Sequence, residues 1–428
     1  MQCDRVKKAA SRTTEVFANP DSPTGYTVCF RYFAPERDRV WVTGDWMFSD
    51  RRHSTVTDSA RIWPHQWKKG VFPHTLMGLK TTPDELKSQV PGEKIDVSKF
   101  EFDWEILKLG IYEMEKDADG VFALDLPLPS GVFNYRFVLE IPDGNPLRMV
   151  SVPDPNALPT AAEGEKTPLS QVYVPFDPEH QSDDRSIELP CPKELRGTLK
   201  YCDYPTDPAF GLGETQICAV YLPKGYESLR EKLPVLYLSH GGTDGLSAWI
   251  NQGAMPQILD HLIAGGRIPP MAVIVMDNEA FRWNDAEKCI PNLLHFLMPW
   301  AERSFRIADS AEGRAFAGLS AGGMLAFEVL EAAGDRFGAV GIWSGGQRFP
   351  ADFEKPCLRM PKIHIGAGEY DDAHFAFSAP LAKTLTEHGI AFTEYYPAGG
   401  HQWSVWRKLL EDFLTGTFPG RRTEPKTD

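Results

Sequence analysis

The sequence predicts an α/β chain in two parts: a β-sandwich, then a mostly parallel sheet covered by helices on both faces. Three observations predict it. Short strand-like runs separated by turn residues fill the region from about 20 to 155, which is the texture of a sandwich. From about 198 onward, short and fully apolar runs alternate with helical patterns, as in a parallel sheet buried on both faces. Between them, residues 142–197 are rich in Pro, Asp, Glu and Ser, a composition that interrupts regular elements. A length of 428 residues suits two domains.

In the first part the strands are expected at 26–33 (YTVCFRYF), 40–43 (VWVT), 121–126 and 132–139 (VFNYRFVL). Turns fall at Pro35, Gly44-Asp45, Asp119-Gly120 and Ser130-Gly131. The polar stretch of about 64–116, with a helical patch at 82–89, reads as an insertion. Residues 1–159 are thus assigned to the sandwich, 160–186 to a linker and 187–428 to the α/β domain. In that domain, strands are expected at 233–238 (LPVLYL), 272–276 (AVIVM), 314–317 and 363–365, with helices at 255–264, 293–305 and 322–333.

Composition excludes several classes. Hydrophobic residues are 42% and charged residues 24% of the chain, the balance of a soluble globular protein rather than a disordered one. The net charge of −14 and a pI near 5.3 repel phosphate backbones and anionic lipid, so neither nucleic acid nor a membrane is an expected partner. Seven widely spaced cysteines without a CxxC pair signal neither a disulfide framework nor a zinc site. No metal or cofactor is expected, because no His/Asp cluster and no Gly-rich phosphate loop is present. No apolar leader follows the basic residues near Met1, so a cytoplasmic location is expected.

The chemistry lies in the second part. Gly318-Leu319-Ser320-Ala321-Gly322 fits G-x-S-x-G, follows an apolar strand and precedes a helical segment. That context is a nucleophile elbow, whose small flanking residues allow a sharp turn that lifts the Ser320 hydroxyl clear of the sheet. A hydroxyl needs a base to remove its proton. Gly399-Gly400-His401 stands late in the chain, between a strand-like segment and an amphipathic terminal helix, so His401 is the expected base. The acid that orients it should lie between the two. The run 363–372 (IHIGAGEYDD) ends in carboxylates. Asp371 is chosen, and spacing alone does not separate it from Asp372 or Glu369. Two backbone N–H groups should hold the oxyanion: that of Ala321, and one from Gly241 or Gly242 in the loop after the first apolar strand. In that loop, His240 reads as a shaping residue. Trp403, Trp283, Arg282 and Trp343 follow strands on loops that could line an apolar substrate slot.

These parts and their order mark an α/β-hydrolase with a serine esterase site. Residues 234–249 (PVLYLSHGGTDGLSAW), 314–323 (RAFAGLSAGG), 366–371 and 399–407 (GGHQWSVWR) resemble the esterase family that includes feruloyl esterases, acetylxylan esterases, esterase D and enterobactin esterases. The resemblance covers about 195–418 and is nearest to the feruloyl branch of carbohydrate esterase family one. It implies an acid three residues after a strand-end glycine, which is Asp371 after Gly368. It further implies feruloyl or acetyl esters of plant-type oligosaccharides as substrates. Residues 40–46, 120–122, 131–137 and 154–156 resemble, more loosely, a glycogen-binding-type early-set domain of immunoglobulin-like fold. That implies either glycan binding or a cover for the active site, with Trp41 and Trp46 as the aromatic candidates. Enterobactin esterases share this two-domain plan, which makes a siderophore trilactone the alternative substrate. They usually carry Gln before the nucleophile, where this chain has Leu319. A non-catalytic carbohydrate-binding protein on a hydrolase fold is the reading of a different class.

Overall fold

The computed structural model describes residues 12–50, 61–73, 110–145, 148–157, 169–242, 244–278, 285–346, 360–371 and 373–420. The chain divides into two compact units, passing from the first to the second between Leu189 and Pro190.

The first unit is β-rich. Strands β1 (Glu15–Ala18), β2 (Tyr26–Phe33), β3 (Trp41–Gly44), β4 (Phe48–Ser49), β5 (Arg61–Ile62) and β6 (Phe72–Pro73) open it. Strands β7 (Ile111–Glu113), β8 (Glu115–Lys116), β9 (Val121–Leu126), β10 (Gly131–Glu140), β11 (Val150–Val152) and β12 (Ser170–Val174) follow. One antiparallel sheet runs β1-β2-β9-β8 and another β11-β10-β3-β7, with β12 also paired to β10. Alternation sends Val28 and Phe30 of β2, Val42 of β3 and Phe133, Tyr135 and Phe137 of β10 into one shared core, as a period of two requires.

Two sequence expectations are corrected here. The proposed linker of 160–186 contains β12, which pairs with β10 from Gly131↔Val174 to Tyr135↔Ser170. Its alternation is short and begins with a serine, so the pattern was hidden, yet Ser170, Val172 and Val174 all face inward. Further along, Gln181 is buried, accepting the Ser130 N–H at 2.7 Å and donating to the Thr24 carbonyl at 2.6 Å. The proposed insertion of 64–116 likewise ends in framework. Strand β7 pairs with β3 and β8 with β9. The expected helical patch at 82–89 lies outside the described residues.

Trp46 is 1% exposed. It packs against Phe30 at 5.2 Å, and its indole N–H donates to the Gly110 carbonyl at 3.3 Å. It is a core residue, closed to a sugar ring. Trp46→Ala is expected to destabilise this unit by about 3–5 kcal/mol, measured by chemical denaturation. Trp41 is half-buried, with the Arg39 guanidinium 4.7 Å above its ring.

The second unit holds an eight-stranded sheet in the order β13-β14-β16-β15-β17-β18-β19-β20. The strands are β13 (Thr198–Pro205), β14 (Thr215–Leu222), β15 (Val235–Ser239), β16 (Ala272–Met276), β17 (Arg314–Leu319), β18 (Ala339–Trp343), β19 (Lys362–Gly366) and β20 (Phe392–Tyr395). Strands β15 to β20 are parallel to their neighbours, and the β13–β14 hairpin joins antiparallel through β16. Every residue of β15, β16, β17 and β18 is buried, which is why these segments read as unbroken apolar runs.

Helices cover both faces. Those labelled α1 (Met255–Ala264), α2 (Ala286–Asn292), α3 (Met298–Ser304), α4 (Ala321–Ala333), α5 (Ala379–Glu387) and α6 (Trp403–Thr417) are named in chain order. A π-helical turn at Leu293–Leu297 joins α2 to α3. Leu293, Leu297, Leu325, Leu381 and Leu385 share one core with Tyr237, Phe316 and Ile342 of the sheet. Helix α6 packs on β18, β19 and α1. Among the described residues, no helix is long and apolar enough to cross a membrane.

Strand β15 lies between β16 and β17, so the direction of winding reverses there. A ligand crevice in such a sheet opens beyond the carboxyl ends of the strands at that reversal. Ser239 ends β15 and Leu319 ends β17.

Candidate active site

Ser320 directly follows β17 and precedes the first turn of α4, with φ 52° and ψ −118°. A non-glycine residue in that region is strained, typically by about 1–3 kcal/mol, and the surroundings must hold it there. The Ser320 N–H donates to the Trp343 carbonyl at 2.8 Å, and its carbonyl accepts the Met324 N–H at 3.0 Å. Gly322 lets the turn close: a Cβ there would stand 2.5 Å from the His240 carbonyl oxygen, far inside contact distance. Gly322→Ala is therefore expected to cost about 1–3 kcal/mol as the elbow is forced apart, read as a lowered denaturation midpoint.

His401 follows Gly399 and Gly400 and comes just before α6. Its Nε2 is 3.0 Å from Ser320 Oγ. Its Nδ1 is 3.0 Å from Asp371 Oδ2 and 3.1 Å from Oδ1. Asp371 is buried, and its Oδ1 also accepts the Ala373 N–H at 2.8 Å. Burial pushes its carboxyl upward, but His401, the Ser344 hydroxyl and the Ala373 N–H outweigh this, and the group lies below its ordinary range. It is therefore held as a carboxylate. Of the three carboxylates that spacing left open, Asp371 meets the imidazole. Glu369 instead accepts the Tyr370 hydroxyl at 2.5 Å, and Asp372 lies outside the described residues.

The loop after β15 borders the same point. A Cβ on Gly241 would be 3.4 Å from Ser320 Cβ, so this stretch of backbone lies against the serine. Ala321 opens α4, where N–H groups point out of the helix at the positive end of its dipole. His240 is fully buried. Its Nδ1 lies 2.8 Å from the Gly241 carbonyl and its Nε2 3.4 Å from Asp277 Oδ1. Burial works against its protonated form, but Asp277 and the Gly241 carbonyl outweigh that and raise its pKa. Asn278, which sequence reasoning missed, clamps the loop: its Oδ1 accepts the His240 N–H at 3.1 Å and its Nδ2 donates to the His240 carbonyl at 3.0 Å. The signal was an amide side chain just past the end of an apolar strand.

Among the expected pocket residues, Trp403 is half-buried at the start of α6, edge-on to Trp249 at 5.2 Å and to Trp406 at 5.1 Å. Trp343 does not line a slot. It is 0% exposed, donates its indole N–H to His364 Nδ1 at 2.9 Å and packs on Phe413 of α6 at 5.6 Å. As the last residue of β18 it still follows the strand's alternation, and it points under α6 rather than into the loops. Arg282 and Trp283 lie outside the described residues.

Residues 211–348 match the family described as “Putative esterase”. The chain is 30% identical over 219 residues to an endo-1,4-beta-xylanase/feruloyl esterase of Xylanibacter ruminicola, covering 48% of this chain and 30% of that protein. An uncharacterized protein of Corynebacterium glutamicum is 24% identical over 297 residues, covering 60% of this chain and 66% of that one. The chain thus spans less than two thirds of the length of either relative. The enterobactin esterase of Shigella flexneri has a similar fold, with a TM-score of 0.57 and 16% identity over 95% of this chain and 96% of that one.

Proposed function

We propose that this esterase-family chain is a serine carboxylic ester hydrolase acting on feruloyl or acetyl esters of plant-type oligosaccharides. The observation that carries the reading is the unbroken contact from Ser320 Oγ through His401 to Asp371. In this mechanism His401 Nε2 takes the Ser320 proton as Oγ attacks the ester carbonyl. The N–H groups of Ala321 and of Gly241 or Gly242 hold the developing oxyanion. Collapse of the tetrahedral intermediate breaks the C–O bond to the alcohol, which leaves with the proton from His401. Water then loses a proton to His401 and attacks the acyl-enzyme, and Ser320 recovers its proton as the acid departs. Asp371 keeps the imidazole in the tautomer whose Nε2 is free to accept, and stabilises the imidazolium. Trp403, beside His401, supplies an aromatic surface for the acyl ring.

The printed name of the Xylanibacter relative supports the feruloyl reading. A second reading, hydrolysis of a catecholate trilactone, is favoured by one observation: the likeness to the Shigella enterobactin esterase extends over both units. We read the first unit as an immunoglobulin-like early-set domain in which Trp46 is structural.

A panel of methyl ferulate, feruloylated and acetylated xylo-oligosaccharides, p-nitrophenyl acetate and a ferric catecholate trilactone tests this, with Ser320→Ala as control. Release from the ferulate or sugar esters, absent in the control, is expected. Preference for the trilactone would overturn the substrate assignment, and inactivity on every ester would overturn the hydrolase itself.

A further inference from the structure

His240 heads the loop that lies against Ser320, and its side chain is buried completely. Both ring nitrogens face acceptors. Nδ1 is 2.8 Å from the Gly241 carbonyl oxygen, and Nε2 is 3.4 Å from Oδ1 of Asp277, the residue just past β16. A carbonyl and a carboxylate can only accept, so each contact calls for a proton on the nitrogen. A neutral imidazole carries one such proton and would turn the lone pair of its other nitrogen against an oxygen. The imidazolium satisfies both sides. The backbone of the same residue is pinned as well, because Asn278 Oδ1 accepts the His240 N–H and Asn278 Nδ2 donates to the His240 carbonyl.

We infer that His240 is a buried imidazolium that polarises the Gly241–Gly242 peptide and thereby strengthens the Gly242 N–H as an oxyanion donor. The Gly241 carbonyl and the Gly242 N–H belong to one planar peptide unit whose C=O and N–H point in opposite directions. With the carbonyl turned onto His240, the N–H points away from the ring. A positively charged donor on that carbonyl draws electron density toward its oxygen and leaves the N–H more acidic, as hydrogen bonds in series polarise one another. The ring itself does not meet substrate. His240 acts through the peptide and is a positioning residue. The inference rests on the reading of Ser320 as nucleophile.

A buried cation needs a counter-charge. Asp277 supplies it from the end of β16, and Asp244 adds to it from within the loop, its Oδ2 lying 2.9 Å from where a Cβ on Gly241 would stand. Both carboxylates favour the protonated ring, and its pKa is raised. Tyr204 of β13 and Cys289 of α2 feel the Asp277 charge, and burial holds both of them uncharged. As pH rises through the raised value the ring loses its charge, the Gly242 N–H weakens and kcat falls.

The test compares wild type, His240→Asn and Asp277→Asn in the full chain, on any ester that the wild type cleaves. Asparagine places an amide N–H near the position of Nδ1, so it keeps a neutral donor to Gly241 and removes the charge. A charged donor is worth about twice a neutral one, and outright loss of an oxyanion donor costs about a hundred- to a thousand-fold. His240→Asn is therefore expected to lower kcat by about ten-fold with KM unchanged. Wild-type kcat should show an alkaline limb that levels off at the His240→Asn rate, and His240→Asn should lack that limb. In Asp277→Asn the limb should move to lower pH by about one unit. Equal kcat in wild type and a folded His240→Asn protein, or an unmoved limb in Asp277→Asn, would overturn the inference.

The ring nitrogen resonances of His240, assigned through their connection to its backbone in the wild-type protein, give a readout independent of catalysis and of whether the variants fold. At neutral pH both nitrogens should carry the shifts of an imidazolium. The pattern of a neutral ring there sinks the inference alone, whereas a wild-type Ser320 that a fluorophosphonate leaves unlabelled overturns the hydrolase reading by itself.

Discussion

Replacing Ser320 with alanine is expected to lower ester turnover by on the order of a million-fold, with the protein still folded. The attacking oxygen has no substitute, because the imidazole then faces a methyl group. Stability should change little, since alanine keeps the Cβ that makes φ 52° unfavourable. Ser320→Gly is the sharper comparison. It deletes the same hydroxyl but tolerates positive φ without a Cβ clash, so it should be as inactive as Ser320→Ala and more stable by about 1 kcal/mol or more. Thermal denaturation of the two inactive proteins measures the strain held at the elbow. Equal midpoints would mean that the turn stores none.

Asp371→Asn is expected to lower kcat by about ten-thousand-fold, while Asp372→Asn leaves activity within a few-fold. Burial alone does not explain the loss. The Asp371 carboxylate accepts from His401 Nδ1 and from the Ala373 N–H. An amide brings one acceptor atom and one donor, so either a backbone N–H or the imidazole loses its partner. If the amide nitrogen faces Nδ1, the ring switches tautomer and Nε2 can no longer take the serine proton. Steady-state kinetics on any ester that the wild type cleaves reads this out. If Asp372→Asn is the more damaging change, the acid has been misassigned.

Asp371 also ties stability to pH. Its folded carboxyl lies below its ordinary range, so its contribution is present above the unfolded value of about pH 4 and is lost as pH falls through the lower folded value. Denaturation midpoints below pH 4 should therefore fall more steeply for wild type than for Asp371→Asn.

Much of the second unit was legible because its signals are local. The 272–276 run and the 255–264 helix appear where the pattern placed them. The elbow was legible for the same reason: small residues at fixed offsets around Ser320, after an apolar strand and before a helix, are a requirement of one turn of backbone. Gly399-Gly400-His401 and the oxyanion loop could be proposed because the order of such parts follows the order of strands. The edge hairpin β13–β14 is not among the expected strands. Strand β13 is mostly exposed, Tyr201 among its residues, and carries no unbroken apolar run, whereas β14 does carry one at 217–222 that the sequence reading passed over. Strand β12 reads as linker in the sequence because a serine heads its alternation.

The sequence by itself determined the alternation of strands and helices, the elbow at Ser320, the glycine-flanked histidine and the cluster of three carboxylates from which the acid is drawn. Each is encoded within a few consecutive residues. Only the tertiary structure decided that Asp371 meets His401 and that Trp343 and Trp46 belong to cores. Those outcomes depend on which way a side chain points and what a distant segment places opposite it. They are set by packing between elements far apart in the chain, which no local pattern records.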